Sequence, residues 1–209
     1  RCYERLSFQI MLSITCINIA KRYLQEVLFK GFNYTFEGNT KYVITGSNSS
    51  GKSTLLKIIG GALAPTKGEI NYSLAAGSES LFSFSSPEMH LLDDFTVREL
   101  FELHFQFKKS KITLEEQYIQ ANLSAFLTKT YGELSSGLKN KVKLSLAIFT
   151  DTPALLLDEP CTNFDEVNTK WYQDMIETFC QNQLIIIASN QISEYKFCTE
   201  KIHLQEYKP

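Results

Sequence analysis

An excess of charge of one sign is missing from this chain, as are paired cysteines, clustered histidines and long apolar runs. Its 21 Lys and Arg against 23 Asp and Glu leave a formal charge of -2, so no broad basic field invites nucleic acid, which is not expected as a partner. The five cysteines, Cys2, Cys16, Cys161, Cys180 and Cys198, are odd in number and lack metal-ligand spacing. Neither a disulfide framework nor a zinc site follows, and a reducing cytoplasm fits. His90, His104 and His203 stand apart from one another and read as structural or exposed. No apolar run approaches the roughly 18 residues that cross a bilayer; "SLAIFTDTPALLLDEP" is broken by Thr150, Asp151 and Pro153. A membrane role must then be borrowed from a partner.

What is present suits one sizeable core: 209 residues, 44% of them hydrophobic. The first ten residues precede Met11 and are expected to be an upstream extension, with the working domain over residues 11–209. "LSITCINIAKRY" and "VLFKGFNYTFEGN" alternate as antiparallel strands do, and "NTKYVITG" adds a buried strand. A helix is expected from Lys52, then turn punctuation at Pro65 and Gly68, a strand "GEINYS" and a strand "SLFSFSS". Over residues 93–147 the periodicity turns helical, which predicts an inserted helical subdomain. Its last helix begins near "SSGLKNKVKLSLAIF", where Ser135 or Ser136 caps the first turn. "ALLLDEP" reads as a parallel strand buried on both faces. A helix over "DEVNTKWYQDMIETFC", a strand "QLIIIAS" and a strand-like "KIHLQEY" complete the pattern.

Two motifs carry chemistry. "GSNSSGKST", running Gly46, Ser47, Asn48, Ser49, Ser50, Gly51, Lys52, Ser53, Thr54, fits G-x-x-x-x-G-K-[ST] between a strand and a helix. Glycines let successive N–H groups turn inward, the helix offers its positive end to phosphates, Lys52 reaches the β and γ oxygens, and Ser53 ligates magnesium. The bland alternative is a small-residue turn. "LLLDEP" then places Asp158 and Glu159 at the end of a buried strand expected beside that loop. There Asp158 holds the metal and Glu159 polarises an attacking water; two acids so near a core are otherwise costly.

Between these motifs, "ELSSGLKNKVKLSLA" resembles the signature of ATP-binding cassette (ABC) ATPases, with Leu134, Ser135, Ser136, Gly137 and Leu138 standing for L-S-G-G-Q. The resemblance implies an α/β P-loop NTPase fold of ABC type, with a mixed central sheet, an antiparallel N-terminal β region and a helical insert. It also implies ATP and Mg2+ as ligands, and Tyr23 as the aromatic residue stacking on adenine, the alternative being an ordinary strand tyrosine. "TNFDE" matches the D-loop, with Asn163 and Asp165 near a partner's site. In that family two cassettes pair head to tail, each signature closing the other's nucleotide, here as a homo- or heterodimer. The expected role is an ATP-hydrolysing transporter subunit, of export type, peripheral on the inner face of the membrane through a separate transmembrane permease.

The pattern departs from the family at two places. Where a glutamine usually links the metal to the membrane subunit, this chain has Ser85, Ser86, Pro87 and Glu88, and where a histidine usually contacts the γ-phosphate it has Asn190. Asparagine donates a hydrogen bond but carries no titrating charge. Hydrolysis is thus expected to be slow but retained through Glu159, the other reading being an ATP-switched scaffold. Leu100, Phe101, Leu103, Phe105 and Phe107 are either core or part of a docking groove. Lys108 to Lys111 read as a solvated helix end, and Cys161 as a space-filler.

Overall fold

A computed structural model describes residues 12–73 and 80–208 of the chain; the expected extension, residues 1–10, lies outside them. The elements follow in order: β1 (Ser13–Tyr23), β2 (Glu26–Glu37), β3 (Lys41–Thr45), α1 (Lys52–Ile59), β4 (Lys67–Ser73), β5 (Phe82–Ser85), α2 (Val97–Phe107), α3 (Leu114–Gln120), α4 (Ser136–Phe149), β6 (Ala154–Asp158), α5 (Glu166–Phe179), β7 (Leu184–Ala188), α6 (Ile192–Tyr195) and β8 (Glu200–His203). Short 3-10 turns lie at Ser124–Phe126, Tyr131–Glu133 and Leu204–Tyr207.

The expected mixture of parallel and antiparallel pairing is divided between two sheets. One is antiparallel, in the order β2-β1-β4; the other has the order β5-β6-β7-β3-β8, every pair parallel. All residues of β6 and β7 are buried, as an unbroken apolar run requires when helices cover one face and a second sheet with α1 covers the other. The period of two sorts them. Leu155, Leu157, Ile185 and Ile187 pack with the helices α2, α4 and α5, whereas Ala154, Leu156, Leu184 and Ile186 pack with α1 and the antiparallel sheet.

Helices in the middle of the chain start where local chemistry dictates. Thr96 opens α2 and Thr113 opens α3, each accepting from the amide three residues on while Glu99 or Glu116 reaches back, a reciprocal cap that satisfies two otherwise orphaned donors. At α4 the cap is Ser135, which accepts from the Leu138 amide at 3.4 Å. Within α2, Leu100 and Phe101 are buried as core while Phe107 stands exposed at its end.

The acid strand β6 does reach the loop, although β7 stands between it and β3, since α1 packs on both β6 and β7. Three expectations are corrected. Gly68 is no turn residue but lies inside β4 with φ of 89°, where a Cβ would come within 2.4 Å of the Ile17 carbonyl at an irregularity of β1. The last strand stops at His203, because Leu204 turns inward to the core and a 3-10 turn follows. Lys111 is not solvated; its Nζ donates to the Ile148 carbonyl at 2.6 Å and to Gln183 Oε1 at 2.8 Å.

Candidate functional site

The loop from Gly46 to Gly51 joins the end of β3 to α1, and it leaves the helix start bare. Gly51 is the N-cap residue in left-handed conformation, with φ of 96° and no side-chain cap. A Cβ there would press on the Phe29 ring at 3.0 Å, so only glycine serves. The first amides of α1 therefore point into the loop without a side chain to satisfy them, the arrangement that attracts an anion. Ser49 is also left-handed, with φ of 64°.

Three side chains, one local and two from far along the chain, fix the loop's entrance. Lys52 is buried, and its Nζ donates to the Gly46 carbonyl at 3.0 Å and the Ser47 carbonyl at 3.3 Å. Asn190 Oδ1 accepts from the Gly46 amide at 3.2 Å, which fixes the orientation of its side-chain amide. Gln205 Oε1 accepts from the Ser47 amide, and Gln205 Nε2 donates to Ser47 Oγ, each at 2.8 Å. Asn48 and Ser49 are exposed. Ser50 Oγ is buried without a hydrogen-bond partner among the described residues, and a Cβ on Gly46 would lie 2.7 Å from it.

At the start of α1, Ser53 Oγ donates to Asp158 Oδ1 at 2.9 Å, so loop and acid strand meet as the motifs require. Burial raises the Asp158 carboxyl to about 6, an effect the Ser53 hydrogen bond opposes and neighbouring Glu159 reinforces. Glu159 itself is exposed and left-handed, with φ of 40°, its amide donating to the Ala188 carbonyl at 3.0 Å. A non-glycine residue held in that region stores strain of about 1–3 kcal/mol, and such strain gathers at sites where a side chain must be aimed.

The residues present fit a nucleotide with magnesium. The glycine-lined hollow contains one unsatisfied hydroxyl, the helix start is uncapped, and Ser53 with Asp158 offers the hard oxygen donors that magnesium takes. Thr54 lies in the first turn of α1 behind this pair. Tyr23 ends β1 half-exposed, with Lys21 Nζ over its ring at 5.1 Å from the centroid.

The signature residues lie elsewhere. Among the described residues no hydrogen bond joins Ser135, Ser136 or Gly137 to the phosphate loop. Instead the start of α4 is braced on the turn after the acids. Asn140 Nδ2 donates to the Pro160 carbonyl at 2.8 Å and the Thr162 carbonyl at 3.0 Å, and a Cβ on Gly137 would lie 3.1 Å from the Asn163 carbonyl. Asn163 is left-handed, with φ of 64°, and Asp165 caps α5.

Sequence reasoning missed several residues here. Gln205 gave no signal, being a lone glutamine 158 positions from the loop. Glu194 is fully buried, accepting from the Cys161 amide at 2.9 Å, with its second oxygen unpartnered among the described residues; burial raises its carboxyl. In the segment without the glutamine, Lys143 Nζ donates to the Ser86 carbonyl at 3.1 Å and the Pro87 carbonyl at 2.9 Å, and Glu88 pairs with Lys57 of α1. Cys161 is buried, and burial pushes its thiol up to about 12, so it fills space and is no nucleophile at neutral pH.

Comparison with known proteins agrees. The chain is 26% identical over 191 residues to the cytochrome c biogenesis ATP-binding export protein CcmA of Wolbachia pipientis wMel, covering 88% of this chain and 92% of that protein. It is 29% identical over 175 residues to the thiamine import ATP-binding protein ThiQ of Haemophilus influenzae, covering 78% and 81%. A bacterial ABC transporter cassette solved as a dimer shares the fold with a TM-score of 0.78 and 20% identity, over 91% of this chain and 94% of that one. The family model described as ABC transporter matches residues 29–162, a stretch that contains the phosphate loop, the signature helix start and both acids, and so the chain belongs to the ABC transporter family.

Proposed function

We propose that this protein is the ATP-binding and ATP-hydrolysing subunit of an ABC transporter, driving a separate transmembrane permease from the inner face of the membrane. The observation that carries the reading is the 2.9 Å contact between Ser53 of the phosphate loop and Asp158 of the acid strand, beside the uncapped start of α1. Gly46 to Thr54 would hold the phosphates, Tyr23 the adenine, and Ser53 with Asp158 the magnesium. The metal, when bound, supplies charge neutralisation on the phosphate oxygens. Glu159, exposed and held in a strained turn, orients a water and takes its proton. Asn190, tethered through Oδ1 to the loop entrance, presents its N–H donors where the family carries histidine.

A second copy of such a cassette, identical or related, is the proposed partner for Ser135, Ser136 and Gly137. Their bracing on the turn after the acids, and not on their own loop, supports this, and so does the dimeric structural neighbour. Relatives named for export and for import both match; export is the direction we propose, on the match to CcmA. Among the described residues no helix is long and apolar enough to cross a membrane, in keeping with a permease supplied by another chain.

A slow, ATP-switched scaffold is the second reading. It is favoured by Asn190, which binds the loop through an uncharged amide, and by the Lys143 and Glu88 contacts that stand in for the missing glutamine. Single-turnover hydrolysis of Mg-ATP by the purified chain, with Glu159→Gln as the control, decides between them. Measurable turnover that the substitution abolishes supports the motor. Indistinguishable rates for the two proteins, with ATP bound by both, would leave the scaffold.

A further inference from the structure

The 3-10 turn after β8 is tied to the phosphate loop in a way that the motif does not require. β8 runs parallel to β3, with His203 opposite Thr45, and His203 Nδ1 lies 3.0 Å from Thr45 Oγ1. Two residues beyond each, Gln205 meets Ser47. Leu204, fully buried, and Tyr207, whose ring packs edge-on to Phe32 at 4.8 Å between centroids, anchor the turn on either side. The backbone that carries Gln205 is thus held beside the loop.

Its two hydrogen bonds have different consequences. Oε1 takes up the Ser47 amide, while Nε2 donates to Ser47 Oγ. With an oxygen lone pair so engaged, the Ser47 hydroxyl proton is turned away from Gln205 and is free to donate. The position of Lys52 shows which end of the ligand that proton meets. Lys52 Nζ rests on the Gly46 and Ser47 carbonyls, and the lysine of such a loop serves the β- and γ-phosphates. Residues 46 and 47 therefore lie at the end of the loop that the lysine shares with the β- and γ-phosphates.

We propose that Gln205 and Ser47 form a triphosphate-specificity pair, in which Gln205 is a positioning residue that aims the Ser47 hydroxyl at a γ-phosphate oxygen. The inference rests on the nucleotide reading of the loop given above. The pair makes ATP bind better than ADP from within one chain, and it ties the C-terminal turn to the presence of the γ-phosphate.

The test is titration calorimetry of the full chain with Mg-ATP and, separately, Mg-ADP. A hydrogen bond to a charged phosphate oxygen is worth about tenfold or more in affinity. Gln205→Ala and Ser47→Ala are each expected to weaken ATP by about that factor and ADP by less than about twofold, and the double variant to be no weaker than the worse single one. Equal losses for ATP and ADP, or an unchanged ATP affinity in variants that melt like wild type, would overturn the pair. Should Gln205→Ala fail to fold, Ser47→Ala carries the test, since its side chain is exposed. Lys52→Ala separates the two levels of inference: unaltered Mg-ATP binding there means the loop reading itself is wrong, whereas weakened binding with no ATP-over-ADP effect at Gln205 or Ser47 removes only this proposal.

Discussion

Helix α1 and helices α2 and α3 begin in opposite ways. The latter two open with threonine and close a reciprocal cap with a glutamate three residues on, and at the 3-10 turn Tyr131–Glu133 the glutamate likewise reaches back to the Thr130 amide. In α2 and α3 the N-cap amide and the amide three residues on are both satisfied by side chains, so those starts are finished structure. Helix α1 has a left-handed glycine, no cap and no acid in its first turn. Its unsatisfied amides cost stability until something anionic meets them. Among α1, α2 and α3, the start that lacks a side-chain cap is the one at the site.

Substitutions should separate the two kinds of helix start. The largest effect is expected at the acid strand: Glu159→Gln should lower ATP turnover by about 10²- to 10⁴-fold with ATP affinity retained, measured as phosphate release alongside calorimetry. Lys52→Ala should weaken Mg-ATP by about a hundredfold in calorimetry, because a charged donor is lost. Gly51→Ala must accept both the left-handed backbone and the Phe29 ring, and denaturant melts should show a loss of about 1–3 kcal/mol together with weaker nucleotide binding.

On the scaffold side, His104 provides a pH signature. Burial, with Lys108 nearby, pushes its imidazole down to about 4, and Nε2 lies 2.9 Å from Thr150 Oγ1. Since the folded value lies below the unfolded one near 6.5, the unfolded chain binds the proton more readily between them. Stability should fall as pH drops from about 6.5 to 4, by about 1–2 kcal/mol once screening of a partly exposed ring is allowed for. His104→Gln should flatten that part of the stability profile. The smallest effect, about 1 kcal/mol in melts, is expected for Thr113→Ala. Nucleotide affinity should not change, and a loss of ATP binding there would erase the distinction between capped and uncapped starts.

The parts legible in the sequence are those whose cause is local. The spacing of Gly46, Gly51, Lys52 and Ser53, the apolar run before Asp158, and the capping threonines each act through neighbours within a few residues. Where sequence reasoning failed, distant partners were responsible. Gly68 resembles a turn until the backbone of β1 is seen against it. Lys111 looks solvated until Ile148 and Gln183 close over it. That β7 lies between β3 and β6 follows from sheet order, about which the apolar runs say nothing, since all of these buried strands have similar composition.

The amino-acid sequence alone determined which atoms are available for chemistry: a glycine-flanked loop that ends in a bare helix, a lysine and a serine at its close, and two adjacent carboxylates on a buried strand. Only the tertiary structure decided that Ser53 meets Asp158 across 105 residues, and that Asn190 and Gln205 grip the loop entrance from 144 and 158 residues away. Local preference is set by a residue and its neighbours. A glutamine that bonds a distant amide, however, has the same composition, spacing and hydropathy as one that faces water, and only the pairing of β8 with β3 tells them apart.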